Sequence, residues 1–419
     1  MTRYALLPIV VLLCVVRPGN AQAPASDLDR SSIRADMVAF NPHYKELMAQ
    51  RRMLLAPLEK RVAVQEAQGH KVTCSFQILT ETRWLLGYTA DFAHIDRRLN
   101  DLKESLAHPE REALAEQQDP KDGSWGGCYT EWWERLDASY DFLQMEKARG
   151  IAPKYRFSLL DRINSPEKLK AYFAGITTSD VAHTGLDNRK ELNGAFVDLI
   201  RLVNAGDPPG YPWHQQVKQT LMDLTLNVYR NAGTGWWGET YIHDGKRQYI
   251  DDLSMTFHIV HALDGEVPLK DRLATTLFAV KNVDYPVGWM EHGIQSDHNN
   301  MDVIVLMRDS WQSMTNVQRQ LGAKEIAEML HWCLTESLQP DGSFHSAGGD
   351  NSIEEDEHFG VAFLARIGYF DKTKRFWTRQ DFPESEANRQ KIIAFIKAHQ
   401  NSGATGGAYY SSAMQELNP

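Results

Sequence analysis

The sequence is poor in cysteine, in positive charge and in long apolar runs. Its four cysteines show no zinc-ligand spacing, and one of them, Cys14, lies in an N-terminal leader. The net charge of −10 argues against a general attraction to nucleic acid or to anionic membranes. Beyond the leader, no apolar run approaches the length of a transmembrane helix. These absences predict a water-soluble globular protein with no nucleic-acid partner and no membrane anchor.

The first residues have the features of a secretory signal peptide. Arg3 is basic, an apolar stretch runs from Ala5 to Val16, and Ala21-Gln22-Ala23 forms a cleavage site of the A-x-A type. The apolar stretch is too short to span a bilayer. We therefore expect cleavage near Ala23, a periplasmic or secreted protein, and a single mature domain over residues 24–419.

Three cysteines remain after the leader is removed. Cys74 and Cys128 both lie next to glycine-containing loops and could pair in an oxidising compartment. Cys333 lies within an apolar helical pattern, so we expect it to be a small buried side chain.

Loop glycines recur with spacings between 50 and 62 residues, at Gly69, Gly123, Gly185, Gly235, Gly288 and Gly342. Four of these loops carry an aromatic residue just after the glycine, and each interval holds two helix-like segments. Strand-like alternation is scarce. The pattern predicts an all-α chain of six helical hairpins that close into an (α/α)6-type toroid with a central cavity. An open α-solenoid is the alternative.

Two of the glycine-aromatic loops lead into polar helix starts. The loop at Gly235 is followed by Asp251-Asp252, and the loop at Gly288 is followed by Asp297-His298-Asn299-Asn300. In a ring of helical hairpins these helix starts would meet at one opening. We therefore expect the functional site between residues 231 and 302.

The adjacent carboxylates of Asp251 and Asp252 are the first catalytic candidates. One aspartate is enough to cap a helix, and we assign that role to Asp251. Two like charges in close contact tend to separate their pKa values, so that one carboxyl can donate a proton while another accepts one. We expect Asp252 to be catalytic, with Glu239 in the preceding loop as its opposing carboxyl. His298 is a candidate general base, with Asp302 one turn further on to hold it.

The remaining candidates would bind the substrate. The tryptophans of the two loops are expected to stack on sugar rings, and the neighbouring amides and polar side chains to contact hydroxyl groups. The expected binding residues are Trp236, Trp237, Trp289, Asn299, Asn300 and Tyr241. Glu355 and His358 lie three residues apart on one helical face and could be joined by His345 from the preceding loop.

The chain resembles the (α/α)-toroid carbohydrate-active enzymes, which include glycoside hydrolases and polysaccharide lyases. The segments DPKDGSWGG at 119–127 and QPDGSFHS at 339–346 resemble turns of terpene cyclases with the same helical ring, but the cyclase DxDD motif is absent. Asp251-Asp252 is similar to the adjacent aspartates of toroid mannanases. His298-Asn299-Asn300 is similar to the asparagine and histidine pairing of toroid lyases.

The resemblance and the carboxylates together predict an exported glycoside hydrolase that cleaves a poly- or oligosaccharide by acid/base chemistry. A polysaccharide lyase with His298, Tyr241 or Tyr249 as base is the first alternative. A toroid that binds sugar without catalysis is the second. We expect no cofactor and no bound metal, because neither an HExxH nor an EF-hand pattern occurs.

Overall fold

The computed structural model describes residues 31–264, 267–291, 293–345, 353–399 and 406–417. The predicted signal peptide lies outside the described residues. Within these ranges the chain is mostly helical, which confirms the predicted all-α class. None of the described helices is long and apolar enough to cross a bilayer.

The helices follow one another along the chain with short connections. They are α1 Ser31–Phe40, α2 Tyr44–Ala67, α3 Thr73–Tyr88, α4 Phe92–Ala107, α5 Trp132–Ala148, α6 Pro166–Ile176, α7 Val181–Thr184, α8 Arg189–Ala205, α9 His214–Asp223, α10 Leu253–Ala262, α11 Lys270–Ala279, α12 Asp297–Ser310, α13 Asn316–Trp332, α14 Ile353–Arg366, α15 Ser385–His399 and α16 Gly406–Leu417. Two π-helical turns, Leu224–Val228 and Cys333–Ser337, extend α9 and α13 up to the loops that follow them.

Six helices, which we call the central helices, pack side by side in chain order: α5, α8, α10, α12, α14 and α16. The intervening helices pack against them, as α11 does on α12 and α15 on α16. The run Val303-Ile304-Val305-Leu306 in α12 is buried all round the helix. A helix that is apolar on every side is stable only when other elements surround it, which explains the central position of α12.

A second apolar cluster forms between α2, α3 and α4, where Leu58, Ile78 and Leu99 are buried. A disulfide between Cys74 and Cys128 joins the start of α3 to the first glycine-aromatic loop. The pairing that the sequence allowed is therefore present. Cys333 is a buried free thiol, as predicted.

A three-stranded sheet interrupts the helical pattern where the sequence predicted loop and helix. Strand β2 (Gly238–His243) pairs antiparallel with β3 (Lys246–Asp251), and the short β1 (Thr178–Ser179) pairs parallel with β2. Asp244 and Gly245 both have positive φ, as a two-residue hairpin turn of type I′ requires. The prediction that a helix begins at Asp251 is therefore wrong, because this residue ends a strand.

Three of the four glycine-aromatic loops share one mode of attachment. In these three the backbone N–H of the aromatic residue donates to a side chain of the next central helix: Trp125 to Ser139, Trp237 to Thr256 and Phe344 to Glu357. Gly342 shows why glycine is needed, because its φ is +99° and an added Cβ would lie 2.5 Å from the Lys391 carbonyl oxygen. The recurring glycines therefore mark equivalent loop-to-helix junctions.

Candidate functional site

Asp252, and not Asp251, caps the helix that follows them. Asp252 is the N-cap of α10, where its Oδ1 accepts from the Met255 N–H at 2.7 Å. Its two oxygens also accept from Nε and Nη2 of Arg189, at 2.6 and 2.9 Å. The assignment of the cap to Asp251 is therefore wrong. The position that we expected to be catalytic instead holds a buried, bidentate ion pair.

Asp251 fixes the end of β3 to the preceding loop. Its Oδ1 accepts from the Thr234 hydroxyl at 2.9 Å and from the Asn231 amide at 3.4 Å. Burial raises the pKa of this carboxyl to about 7, so that it holds a proton in mildly acidic solution. Glu239 and Tyr241 lie nearby on β2, each only 2% exposed, and the Tyr241 hydroxyl donates to Gln248 at 3.2 Å.

The three loop tryptophans are core residues and not stacking surfaces. Trp236 and Trp237 are fully buried, and their indole N–H groups donate to the carbonyl oxygens of Leu273 and Thr225. Trp289 is 4% exposed. The expectation that these rings stack on a sugar is therefore wrong. Their apolar area holds the loops in place and leaves no free ring face.

His298 lies in the first turn of α12, which Ser296 caps by accepting from the Asn299 N–H. Its ring stacks on Phe359 at 4.3 Å and contacts Tyr285 at 5.2 Å between centroids. Burial, assisted by His358 and Lys190, lowers the pKa of His298 to about 4. The imidazole is therefore neutral near pH 7, which is the form that can accept a proton.

Asp302 lies one turn beyond His298, with Oδ2 at 4.0 Å from the imidazole Nε2. Burial raises the pKa of Asp302 well above its ordinary value. The two side chains are thus neighbours, as the sequence suggested. Burial also raises the pKa of the Tyr285 phenol well above its ordinary value.

Asn299 and Asn300 are buried beside His298. The Asn299 amide donates to the Trp289 carbonyl at 3.1 Å and to Glu291 at 3.4 Å. The Asn300 amide nitrogen has no hydrogen-bond partner among the described residues. Asn299 is therefore a positioning group for the loop, while Asn300 retains free hydrogen-bonding capacity.

At the start of α14, two of the three candidate binding residues, Glu355 and His358, lie beside a common neighbour, Tyr409. The Tyr409 hydroxyl donates to Glu355 at 3.2 Å, and the Tyr409 ring lies 5.7 Å from that of His358. The shared face of Glu355 and His358 is therefore confirmed. His345 is exposed, and within the described ranges it contacts neither of them.

The structure shows an aromatic row that the sequence did not predict. Successive rings lie 4.3 to 5.9 Å apart, in the order Trp84, Tyr88, Tyr285, His298, Phe359, His358 and Tyr409. The row crosses the start of α12 and joins the end of α3 to α16. Most of its members are partly exposed, so they offer the ring faces that the loop tryptophans do not.

Lys190, at the start of α8, places a positive charge beside this row. Its ammonium lies 3.2 Å from Glu81 and 4.9 Å from the centre of the Trp84 ring. It also helps to lower the pKa of His258, which burial brings to about 3. The site therefore combines neutral imidazoles, a neutral phenol and a partly exposed cation.

A cavity of about 390 Å³ opens beside the row. Its walls include Arg34 and Met37 of α1, Tyr88 of α3, and the Asp284-Tyr285 segment. Tyr285 belongs to both the cavity and the aromatic row. In the described part of the chain, no group of three or more His, Cys, Asp or Glu side chains is arranged to hold a metal ion.

Comparison of the chain with protein families, with curated proteins and with solved structures finds no match. The function must therefore be argued from the site itself.

Proposed function

We propose that the chain is an exported (α/α)-toroid enzyme that cleaves an acidic polysaccharide by β-elimination. Each central helix contacts the next along the chain, which fits a ring or an open solenoid. The contact between Tyr88 of α3 and Tyr285 favours a ring, because it brings an early helix beside the start of α12. The disulfide between Cys74 and Cys128 supports export, since such bonds persist in oxidising compartments.

N-terminal sequencing of the protein from its native host should find a mature chain that begins near Pro24. A soluble cytoplasmic form that retains residues 1–23 would contradict export.

The observation that carries the reaction is the contact between a neutral imidazole and a neutral phenol, His298 and Tyr285. His298 would remove the proton from C5 of a uronic sugar, and the electron pair would form the C4=C5 double bond. The C4–O bond would break, and Tyr285 would give its proton to the leaving oxygen. The proton on His298 then returns to the Tyr285 phenolate. No water is consumed, and both groups are restored.

Lys190 supplies the charge that such a reaction needs. The C5 proton of a uronic sugar becomes more acidic when a cation neutralises the adjacent carboxylate. Lys190 is close enough to His298 to contribute to the lowered pKa of the imidazole. Its ammonium pairs with Glu81 but is partly exposed beside the row, whereas Arg189 is buried in its ion pair with Asp252. Lys190 is therefore the side chain that we assign to the uronate carboxylate.

Hydrolysis of the glycosidic bond is the second candidate, and one observation favours it. Burial gives Asp251 a pKa of about 7, while the adjacent Asp252 is held in an ion pair with Arg189. A protonated and an ionised carboxyl are the two groups that a glycosidase uses. Asp251 and Asp252 are only 3% and 1% exposed, however, and their oxygens already accept hydrogen bonds within the protein. This is why we place elimination first.

A panel of neutral and uronic polysaccharides tests the proposal directly. Reducing ends and the ultraviolet absorbance of the unsaturated uronate should be measured on the same samples. Elimination predicts that both signals rise together on a uronic polymer. Reducing ends without absorbance would favour hydrolysis and overturn elimination. Binding of a polymer without any product would favour a sugar-binding protein.

A further inference from the structure

We propose that the cavity between α1 and residues 282–286 is a binding site for an acidic sugar unit, on the leaving side of the bond that is cleaved. This proposal rests on the proposed function for the direction in which the sugar chain lies. The site itself stands on the geometry of the cavity. Its volume of about 390 Å³ lies within the range of small-molecule sites in proteins, roughly 300 to 1,000 Å³.

The position of the cavity follows from Tyr285. This ring forms part of the cavity wall and also contacts His298 at 5.2 Å. A sugar in the cavity would therefore lie against the group that we assign to the leaving oxygen. The Tyr88 ring, which lies 5.9 Å from Tyr285, lines the same space, and its hydroxyl donates to Glu291 at 2.7 Å. Two fixed phenol rings give a surface that is suited to a sugar face.

One cation on the cavity wall is available to recognise an acidic unit. Asp284 lines the cavity, but its Oδ1 accepts from the Gly293 N–H at 2.9 Å. Arg34 also lines the cavity, lies exposed at the rim, and is paired with no carboxylate in the described ranges. A guanidinium binds a carboxylate through two parallel N–H groups. Arg34 is therefore the recognition group.

The wall that carries Arg34 is firmly attached. Ile33 and Met37, one turn apart on α1, are 0% and 4% exposed. Asp36 lies 2.7 Å from the His243 imidazole on β2, and Phe40 packs against Gly185. The helix is thus held on both sides of Arg34, and the cavity belongs to the folded protein.

A cavity-filling substitution tests the site. Gly87 lies on α3 in the cavity wall, and an added Cβ would meet nothing within 4 Å. Gly87→Trp would place a large ring in the cavity without straining the helix. Gly175→Trp on α6 is the matched control, because Gly175 is also an exposed helical glycine with free space around it and is not among the residues that line the cavity. The probe is a uronic tetrasaccharide, with binding measured by titration calorimetry on the full chain.

We expect Gly87→Trp to weaken binding of the tetrasaccharide by at least about tenfold, and Gly175→Trp to leave binding unchanged. Equal affinity in the two variants would overturn the site, as would failure of the unsubstituted protein to bind. If the tetrasaccharide binds and Gly87→Trp blocks it, but no product forms, the site stands and the proposed elimination fails.

Arg34→Gln tests the choice of ligand, with Lys45→Gln as a control that removes one positive charge from the neighbouring exposed helix start. We expect Arg34→Gln to weaken binding of the uronic tetrasaccharide by roughly tenfold. It should have no effect on the carboxyl-reduced, neutral tetrasaccharide. Tighter binding of the neutral form by the unsubstituted protein would overturn the assignment of an acidic unit.

Discussion

The two glycine-aromatic junctions at 231–256 and 282–302 look alike in sequence but differ in how their polar groups are satisfied. At the first, Asp251 and Asp252 both accept hydrogen bonds from neighbouring side chains. At the second, both oxygens of Asp302 and the amide nitrogen of Asn300 are buried without a hydrogen-bond partner among the described residues. Buried polar groups are normally paired, and exceptions mark strained or functional sites. The contrast between these residues supports the proposal that the chemistry belongs to the second junction.

The largest expected effect on turnover comes from a substitution at the second junction. His298→Gln keeps the size of the side chain but removes the proposed base, so we expect turnover of a uronic polymer to fall by about 10² to 10⁴. The melting temperature should change little. His331→Gln, at an exposed position on α13, is the control and should keep full activity. Full activity in His298→Gln would show that the second junction takes no part in the reaction.

Asp252→Asn should act on stability and not on chemistry. Asparagine still caps a helix, but it leaves the buried Arg189 without an anionic partner. Breaking a buried ion pair in this way costs roughly 3–5 kcal/mol in the free energy of unfolding. Denaturant titration should show this loss, and the double variant Arg189→Gln/Asp252→Asn should recover part of it. A stable Asp252→Asn protein that has lost its activity would return the catalytic role to the first junction.

Asp251→Asn tests the first junction through the pH dependence of the free energy of unfolding. The pKa of Asp251 rises from its ordinary value of 3.8 to about 7 in the folded protein. The folded state therefore binds more protons than the unfolded state between these values, and this group makes stability fall as pH rises through them. For one proton the slope is at most about 1.4 kcal/mol per pH unit.

We expect Asp251→Asn to lose this part of the pH dependence, so that the variant gains stability relative to the unsubstituted protein between about pH 5 and about pH 8. Asp297, whose pKa burial also raises to about 7, keeps its contribution in both proteins. Urea titrations at the two pH values measure the difference. Parallel pH profiles for the two proteins would contradict a raised pKa at Asp251.

The smallest effect concerns the attachment of the loop. The Thr256 hydroxyl accepts from the Trp237 N–H at 3.0 Å and lies 3.1 Å from the Trp237 carbonyl oxygen. Thr256→Val keeps the shape of the side chain but leaves the Trp237 N–H unpaired, while the Trp237 carbonyl still accepts from the Asp252 N–H at 3.0 Å. We expect a loss of about 1 to 3 kcal/mol in the free energy of unfolding, with activity retained. No loss of stability would mean that this contact does not secure the junction.

Much of the helical pattern could be predicted from the sequence, because apolar spacing determines which face of a helix is buried. The apolar helical pattern that ends at Cys333 belongs to α13, which starts at Asn316, where Thr315 and Gln318 form a capping box. The hairpin at 238–251 carried its own signal, since Asp244-Gly245 is a strong hairpin turn. Both signals are local and could have been found.

The site was harder to predict because its members are distant in sequence. Trp84, Lys190 and Tyr285 come from three different elements, and no local pattern links them. The prediction that Trp236, Trp237 and Trp289 stack on sugar rings was wrong for a related reason. A tryptophan after a glycine can pack inward or outward, and only the following helix decides which.

The disulfide between Cys74 and Cys128 also restricts the unfolded chain. It closes a loop across a separation of 54 residues, so the unfolded chain has fewer conformations available to it. In the chain-entropy account a loop of this length favours the folded state by about 4 kcal/mol. Folding of this chain is thereby coupled to oxidation, and a reducing environment would shift the equilibrium toward the unfolded ensemble.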